Sequence, residues 1–307
     1  MNRMLTAVCA VLAVSAAVVQ AAPAKTTSHG EPPHGAPTGH GGPAPHGGPH
    51  SPGAAVEATA SADVSGDGST ASATATCPPG TKAAGGGFDA PSSSDVVGIV
   101  YESVKVGQHA WRASAQLLDP GDPNTVTLTT YAYCRAHFPA TKSSARTVPT
   151  TGEVQMGPTA SASCPHGETA LAGGFHMPPP LLAPTVTDLF FDSLRSGPSG
   201  WNARVVTGPA GPSSVTSEAY CSKGAGLPVE SDGASSPNGL DSVDSTATAT
   251  CPAGLTPAAG GFAQPDSAVV SFFFVHTSRR VGDGWQVIGL HTGSEPAVAL
   301  NSAAYCA

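Results

Sequence analysis

From about residue 70 onward, small apolar and polar residues alternate with period two, the pattern of half-buried strands. Ser72 to Cys77 (SATATC) opens the pattern and runs into a turn at Pro78-Pro79-Gly80. Lys82 to Phe88 forms a second short strand, ended by Pro91 as Pro178 and Pro265 end its later counterparts. Gly86-Gly87 within it marks a bulge or a close approach of another backbone, because glycine otherwise weakens a strand interior. β-Branched and aromatic runs supply a third strand at Val96 to Val104, Thr185 to Leu194 and Ser267 to Thr277. Strands opening on Trp111, Trp201 and Trp285 follow, with tryptophan on the apolar face, where it packs a core. In the closing strand Val126, Leu128, Ala132 and Cys134 share a face; Val215, Ala219 and Cys221 match them, as do Val298, Leu300, Ala304 and Cys306.

The pattern is written three times. Cys77-Pro78-Pro79-Gly80, Cys164-Pro165-His166-Gly167 and Cys251-Pro252-Ala253-Gly254 open the copies 87 residues apart, and Tyr133-Cys134, Tyr220-Cys221 and Tyr305-Cys306 close them. Gly-Gly-Phe recurs at Phe88, Phe175 and Phe262, eleven residues past each opening cysteine. A fixed period of this kind means one supersecondary unit copied and arrayed. The expectation is an all-β chain of three tandem, disulfide-stapled antiparallel units of about 60 residues, each four or five strands in one curved sheet or a very small sandwich. The boundaries read 69–135, 158–222 and 241–307. The connectors, Arg135 to Pro158 and Ser222 to Leu240, are rich in Ser, Pro, Gly and Thr and read as flexible. Two arrangements stay open: separate beads, or closure into a pseudo-threefold β-prism, toward which the number of copies leans.

Residues 1–21 read as a Sec-type export signal: Arg3, an apolar run from Met4 to Val19, then Val19-Gln20-Ala21 at the cleavage site. The run is shorter than the roughly 20 residues of a spanning helix, so no transmembrane anchor is expected after cleavage, and the mature chain is secreted. Removing Cys9 with the signal leaves six cysteines, two per unit, and in an exported chain these imply disulfides. The inward-facing pairs are Cys77–Cys134, Cys164–Cys221 and Cys251–Cys306. A rival set that also respects the repeat joins Cys134 to Cys164, Cys221 to Cys251 and Cys77 to Cys306.

Charge is sparse, with a formal balance of −8 and no basic stripe, so nucleic acid and anionic membranes are not expected partners. Residues 22–68 are poor in large apolar side chains and read as a disordered tail. Within it His29, His34, His40, His46 and His50 stand between Gly and Pro spacers, a set able to wrap Cu(II), Ni(II) or Zn(II) weakly, or simply a solvated spacer. No other cofactor is implied.

The C-P-x-G, Gly-Gly-Phe, Trp and Tyr-Cys order resembles uncharacterised secreted repeat proteins of high-GC bacteria such as actinobacteria. It is also similar to vitelline membrane outer layer protein, whose three repeats carry a C-P-x-G and Gly-Phe start and a terminal cysteine. That likeness covers residues 70–307 and implies a three-sheet β-prism with an extracellular structural or carbohydrate-related role. The connectors here are longer, and Asp89, His176 and Ala263 after Gly-Gly-Phe share no polar group.

No G-x-S-x-G, H-E-x-x-H or P-loop is present. Asp188 and Asp192 would stand about 13 Å apart on a strand, too far for a carboxylate pair, and read as solvated edge charges. His109, His276 and His291 read as surface or edge residues. The expectation is therefore a non-catalytic structural or surface-associated protein, with a lectin-like protein binding glycans or cell-wall polymer as the alternative. For the latter, Tyr133, Tyr220 and Tyr305, opposite the cysteines, are the expected exposed aromatic platforms.

Overall fold

The computed structural model describes residues 56–93, 96–119, 121–150, 155–179, 189–207, 214–226, 228–235, 244–264, 272–292 and 299–307. Each unit contributes six strands. Unit one holds β1 (Val56–Ser65), β2 (Ala71–Thr76), β3 (Thr81–Asp89), β4 (Gly98–Val106), β5 (Ala110–Leu117) and β6 (Thr125–Ala136). Unit two holds β7 (Lys142–Pro149), β8 (Gln155–Ser163), β9 (Glu168–His176), β10 (Leu189–Arg195), β11 (Gly200–Thr207) and β12 (Ser214–Lys223). Unit three holds β13 (Val229–Ala234), β14 (Asp244–Thr250), β15 (Pro257–Ala263), β16 (Phe272–Val281), β17 (Gly284–Thr292) and β18 (Asn301–Cys306).

No unit owns a sheet. The three six-stranded sheets run β1-β6-β3-β16-β17-β14, β2-β5-β4-β9-β12-β7 and β13-β18-β15-β10-β11-β8. Every unit lays its first, sixth and third strands into one sheet and its fourth, fifth and second strands into another. Each sheet is thus two half-units from different copies, antiparallel throughout, and the three form a closed pseudo-threefold cycle. The all-β expectation holds, and closure into one array replaces the separate-bead reading. The one-sheet-per-unit reading is corrected. Half a unit presents three strands with one apolar face, too little to stand alone, and joining halves of different copies buries all three faces together.

The first strand of each unit also corrects the boundaries read from sequence. β1 lies within the stretch assigned to the tail, and β7 and β13 lie within the connectors. β1 (VEATASADVS) alternates apolar and polar residues throughout but directly follows a Gly/Pro/His-rich stretch, while β7 (KSSARTVP) and β13 (VESDGA) hold little strand signal of their own. Pairing fixes them instead: β1 runs in register with β6 from Val56↔Cys134 to Ser65↔Thr125. They form corners as well. Ser144 Oγ on β7 donates to the Ser163 carbonyl on β8 (2.6 Å), and Ser231 Oγ on β13 to the Thr250 carbonyl on β14 (2.6 Å). Edge strands of adjacent sheets therefore cover one another, which blunts edge-to-edge aggregation.

The core is built around Phe88, Phe175 and Phe262, which meet edge to face with centroids 5.9, 6.5 and 5.9 Å apart. Disulfides join Cys77 to Cys134, Cys164 to Cys221 and Cys251 to Cys306, closing separations of 57, 57 and 55 residues. In the chain-entropy account a loop of that length is worth about 4 kcal/mol.

Candidate functional site

The recurring residues converge where half-units join. Each join is a short ladder of two residue pairs: Asp89↔Thr277 and Phe88↔Ser278, His176↔Glu102 and Phe175↔Ser103, Ala263↔Asp192 and Phe262↔Ser193. Beyond these pairs the strands no longer pair, which leaves backbone groups to be satisfied by other means. A tyrosine hydroxyl supplies the acceptor. Lys105 N–H donates to Tyr220, Arg195 N–H to Tyr305 and Arg280 N–H to Tyr133, each at 2.7 Å.

Gly-Gly makes the approach physical. A Cβ on Gly86, Gly173 or Gly260 would enter the ring of Trp111, Trp201 or Trp285. A Cβ on Gly87, Gly174 or Gly261 would strike the carbonyl of Ser278, Ser103 or Ser193 on the adjoining strand. The close-approach expectation holds, and a register shift also falls just ahead of the pair in β3 and β15. Each indole N–H in turn donates to a serine: Trp111 to Ser103 (2.9 Å), Trp201 to Ser193 (3.0 Å) and Trp285 to Ser278 (3.0 Å). Tyrosines meet the tryptophans edge to face, Tyr220 with Trp111, Tyr305 with Trp201 and Tyr133 with Trp285, at 5.3 to 5.5 Å. The tryptophans fill the core as the alternation predicts.

Tyr133, Tyr220 and Tyr305 are not exposed platforms. They are 0, 2 and 0 % exposed, and burial pushes all three phenols above their ordinary range. Simple alternation missed them because it does not register the gap in the ladder that each ring fills. A cation covers each ring: Arg280 over Tyr133 and Arg195 over Tyr305 at 4.6 Å, and Lys105 near Tyr220 at 6.0 Å. These cations went unnoticed in the sequence. They stand six, six and five residues before the tryptophan, so no constant offset from the opening cysteine marks them.

Several other ionisable groups are held in pairs. Asp192 is buried and bound by Arg204 Nε, not a solvated edge charge, while Asp188 lies outside the described residues. Glu102 accepts both Arg112 Nε (3.0 Å) and Arg112 Nη2 (2.6 Å). His109 is exposed as expected, with Nδ1 2.7 Å from the Thr81 carbonyl. His276 is buried, contrary to expectation, between Asp244 (3.2 Å) and Thr277 (3.1 Å). This Asp-His-hydroxyl string is not arranged to activate a nucleophile, since Thr277 Oγ1 donates its proton to Asp89 at 2.7 Å. The His291 side chain and the tail histidines His29, His34, His40, His46 and His50 lie outside the described residues. Among those described, no His/Cys/Asp/Glu cluster suits a metal ion, and no helix is long and apolar enough to cross a membrane.

One open cleft of about 490 Å³ lies beside unit one, lined by Pro91, Ser92, Ser93, Val96, Asn124, Thr125 and Val126. Its hydroxyls serve their own loop: Ser92 Oγ accepts from Gly98 N–H and donates to the Ala90 carbonyl, and Ser93 Oγ accepts from Val96 N–H. No protein-family model matches the chain, and no curated protein matches it either.

Proposed function

We propose that the protein is a secreted, non-catalytic structural or surface-associated repeat protein. The observation carrying this reading is the use made of the recurring polar and aromatic residues. The tyrosine hydroxyls accept backbone N–H groups, the indoles bind serines and the glycines admit close packing, so the repeat is spent on the array. Three disulfides fit an oxidising, extracellular setting, and the N-terminal segment supplies the route of export. In this reading the histidine tail is a spacer with weak affinity for transition-metal ions. Calorimetry with Zn(II), with and without residues 22–53, tests that part; identical heats remove it.

Glycan or cell-wall binding is the second reading, now drawn from the hydroxyl-lined cleft at Ser92 and Thr125 and no longer from the tyrosines. A glycan array that includes peptidoglycan fragments separates the two. Saturable binding overturns the purely structural role, and silence removes the lectin.

A further inference from the structure

The three joins are equivalent in backbone and unequal in charge. Arg195 Nη2 meets Glu230 Oε2 at 2.7 Å, and Arg280 Nη2 meets Glu57 Oε2 at 3.5 Å. Both glutamates lie on the first strand of a unit, directly opposite the tyrosine: Glu230↔Tyr305 and Glu57↔Tyr133. At the third join the residue opposite Tyr220 is Ser143, and the cation is Lys105. Lys105 is 9 % exposed, and Nζ donates to Thr141 Oγ1 at 2.8 Å. An ammonium carries three N–H donors, and among the described residues no carboxylate pairs with this one.

The surroundings add positive charge. Lys82 on β3 acts on Lys105 through space, and Lys142 is exposed on an adjoining segment. Glu218, the nearest acidic residue along β12, is engaged by the Tyr220 hydroxyl (2.9 Å) and Ser143 Oγ (3.2 Å). The Phe138 ring stands over Nζ at 5.8 Å. The segment carrying Phe138 is latched by Gln108, whose amide donates to the Thr141 carbonyl (2.6 Å) and accepts from Thr141 N–H (3.1 Å).

We propose that this join is a binding site for a small carboxylate ligand, held by the Lys105 ammonium beneath Phe138 in the role that Glu57 and Glu230 play at the other two joins. The ligand class follows from the partners the sibling cations take. The apolar Phe138 ring and the 9 % exposure of Lys105 favour a compact organic acid over a polymer. Burial lowers the Lys105 ammonium to about 8, with repulsion from Lys82 adding to it, and a bound carboxylate would reverse that shift.

The experiment uses the mature, disulfide-bonded protein at pH 7 in sodium acetate against sodium chloride at matched ionic strength. A saturable rise in Tm of about 2–4 °C is expected, absent in Lys105→Met. NMR titration of lysine side chains in the wild-type protein is the second readout and does not depend on the variant folding. Acetate should move the Lys105 titration toward the ordinary lysine range. An equal Tm rise in Lys105→Met, or a Lys105 titration indifferent to acetate, overturns the proposal. A response to inorganic phosphate without one to acetate overturns the carboxylate assignment.

Discussion

The join between units one and two, set beside the other two, separates what the repeat must keep from what it can change. At all three a tyrosine hydroxyl accepts a stranded N–H at 2.7 Å. At two of them an arginine lies over the ring and pairs with a glutamate; at the third a lysine stands further off and bonds Thr141, with Ser143 opposite the tyrosine. Backbone obligations recur because a buried donor has few substitutes. Charge pairings vary because a side-chain cation can be satisfied in several ways, by a carboxylate as at Arg195 and Arg280 or by a hydroxyl as at Lys105.

The shared part is the one whose loss costs most. Trp201→Ala should destabilise the protein by about 3–5 kcal/mol, read as a fall in the urea midpoint. Trp111→Ala and Trp285→Ala should match it, because all three indoles are buried against the first glycine of a Gly-Gly pair. A loss below 1 kcal/mol at any one join would show that the three are not equivalent in packing.

Tyrosine to phenylalanine probes the same joins more finely. Tyr133→Phe and Tyr305→Phe keep the ring and strand the N–H of Arg280 or Arg195, at a cost of about 1–3 kcal/mol each. Tyr220→Phe removes one donor more, because that hydroxyl also donates to Glu218, so it should sit at the upper end of the range. Equilibrium unfolding of the three variants side by side checks the order.

Much of this was legible in the letters. Alternation and spacing reach the tryptophan core, narrow the disulfides to two sets of which the inward-facing one is found, and narrow Gly-Gly to a bulge or a close approach. The tyrosines did not, because alternation assigns a face and says nothing about where a ladder stops. Nor did β7 and β13, whose mostly polar sequences become strands only through partners far along the chain, as Ser143 does with Tyr220; β1 does alternate, but its signal is masked by the Gly/Pro/His-rich stretch before it. Exchange of half-units lies beyond any single repeat, since identical copies pair as well with a neighbour as with themselves.

Charge substitutions test the difference directly. Glu230→Gln leaves the Arg195 side chain, 4 % exposed, without its carboxylate, at a cost of about 1–2 kcal/mol; the glutamate's own 39 % exposure limits the loss. Ser143→Ala, at the corresponding position, should change stability by less than about 0.5 kcal/mol. Thermal unfolding of both variants measures the asymmetry, and equal losses would erase it.

The last difference between the joins is one of pH dependence, because only one of them holds a lysine. Lys105 titrates near 8 in the folded protein, against 10.5 as an ordinary lysine, because burial disfavours its ammonium. Across that window the unfolded chain binds more protons than the native one, so stability rises with pH. The phenols of Tyr133, Tyr220 and Tyr305 work in the opposite direction. Burial holds them above the ordinary value of 10.0, so beyond it the unfolded chain releases protons first and stability falls. The wild-type curve should therefore climb above pH 8 and turn over near pH 10. Lys105→Arg installs the cation of the other two joins, which does not titrate in this range. It should abolish the climb and keep the fall, whereas a climb that survives would place the titrating group elsewhere.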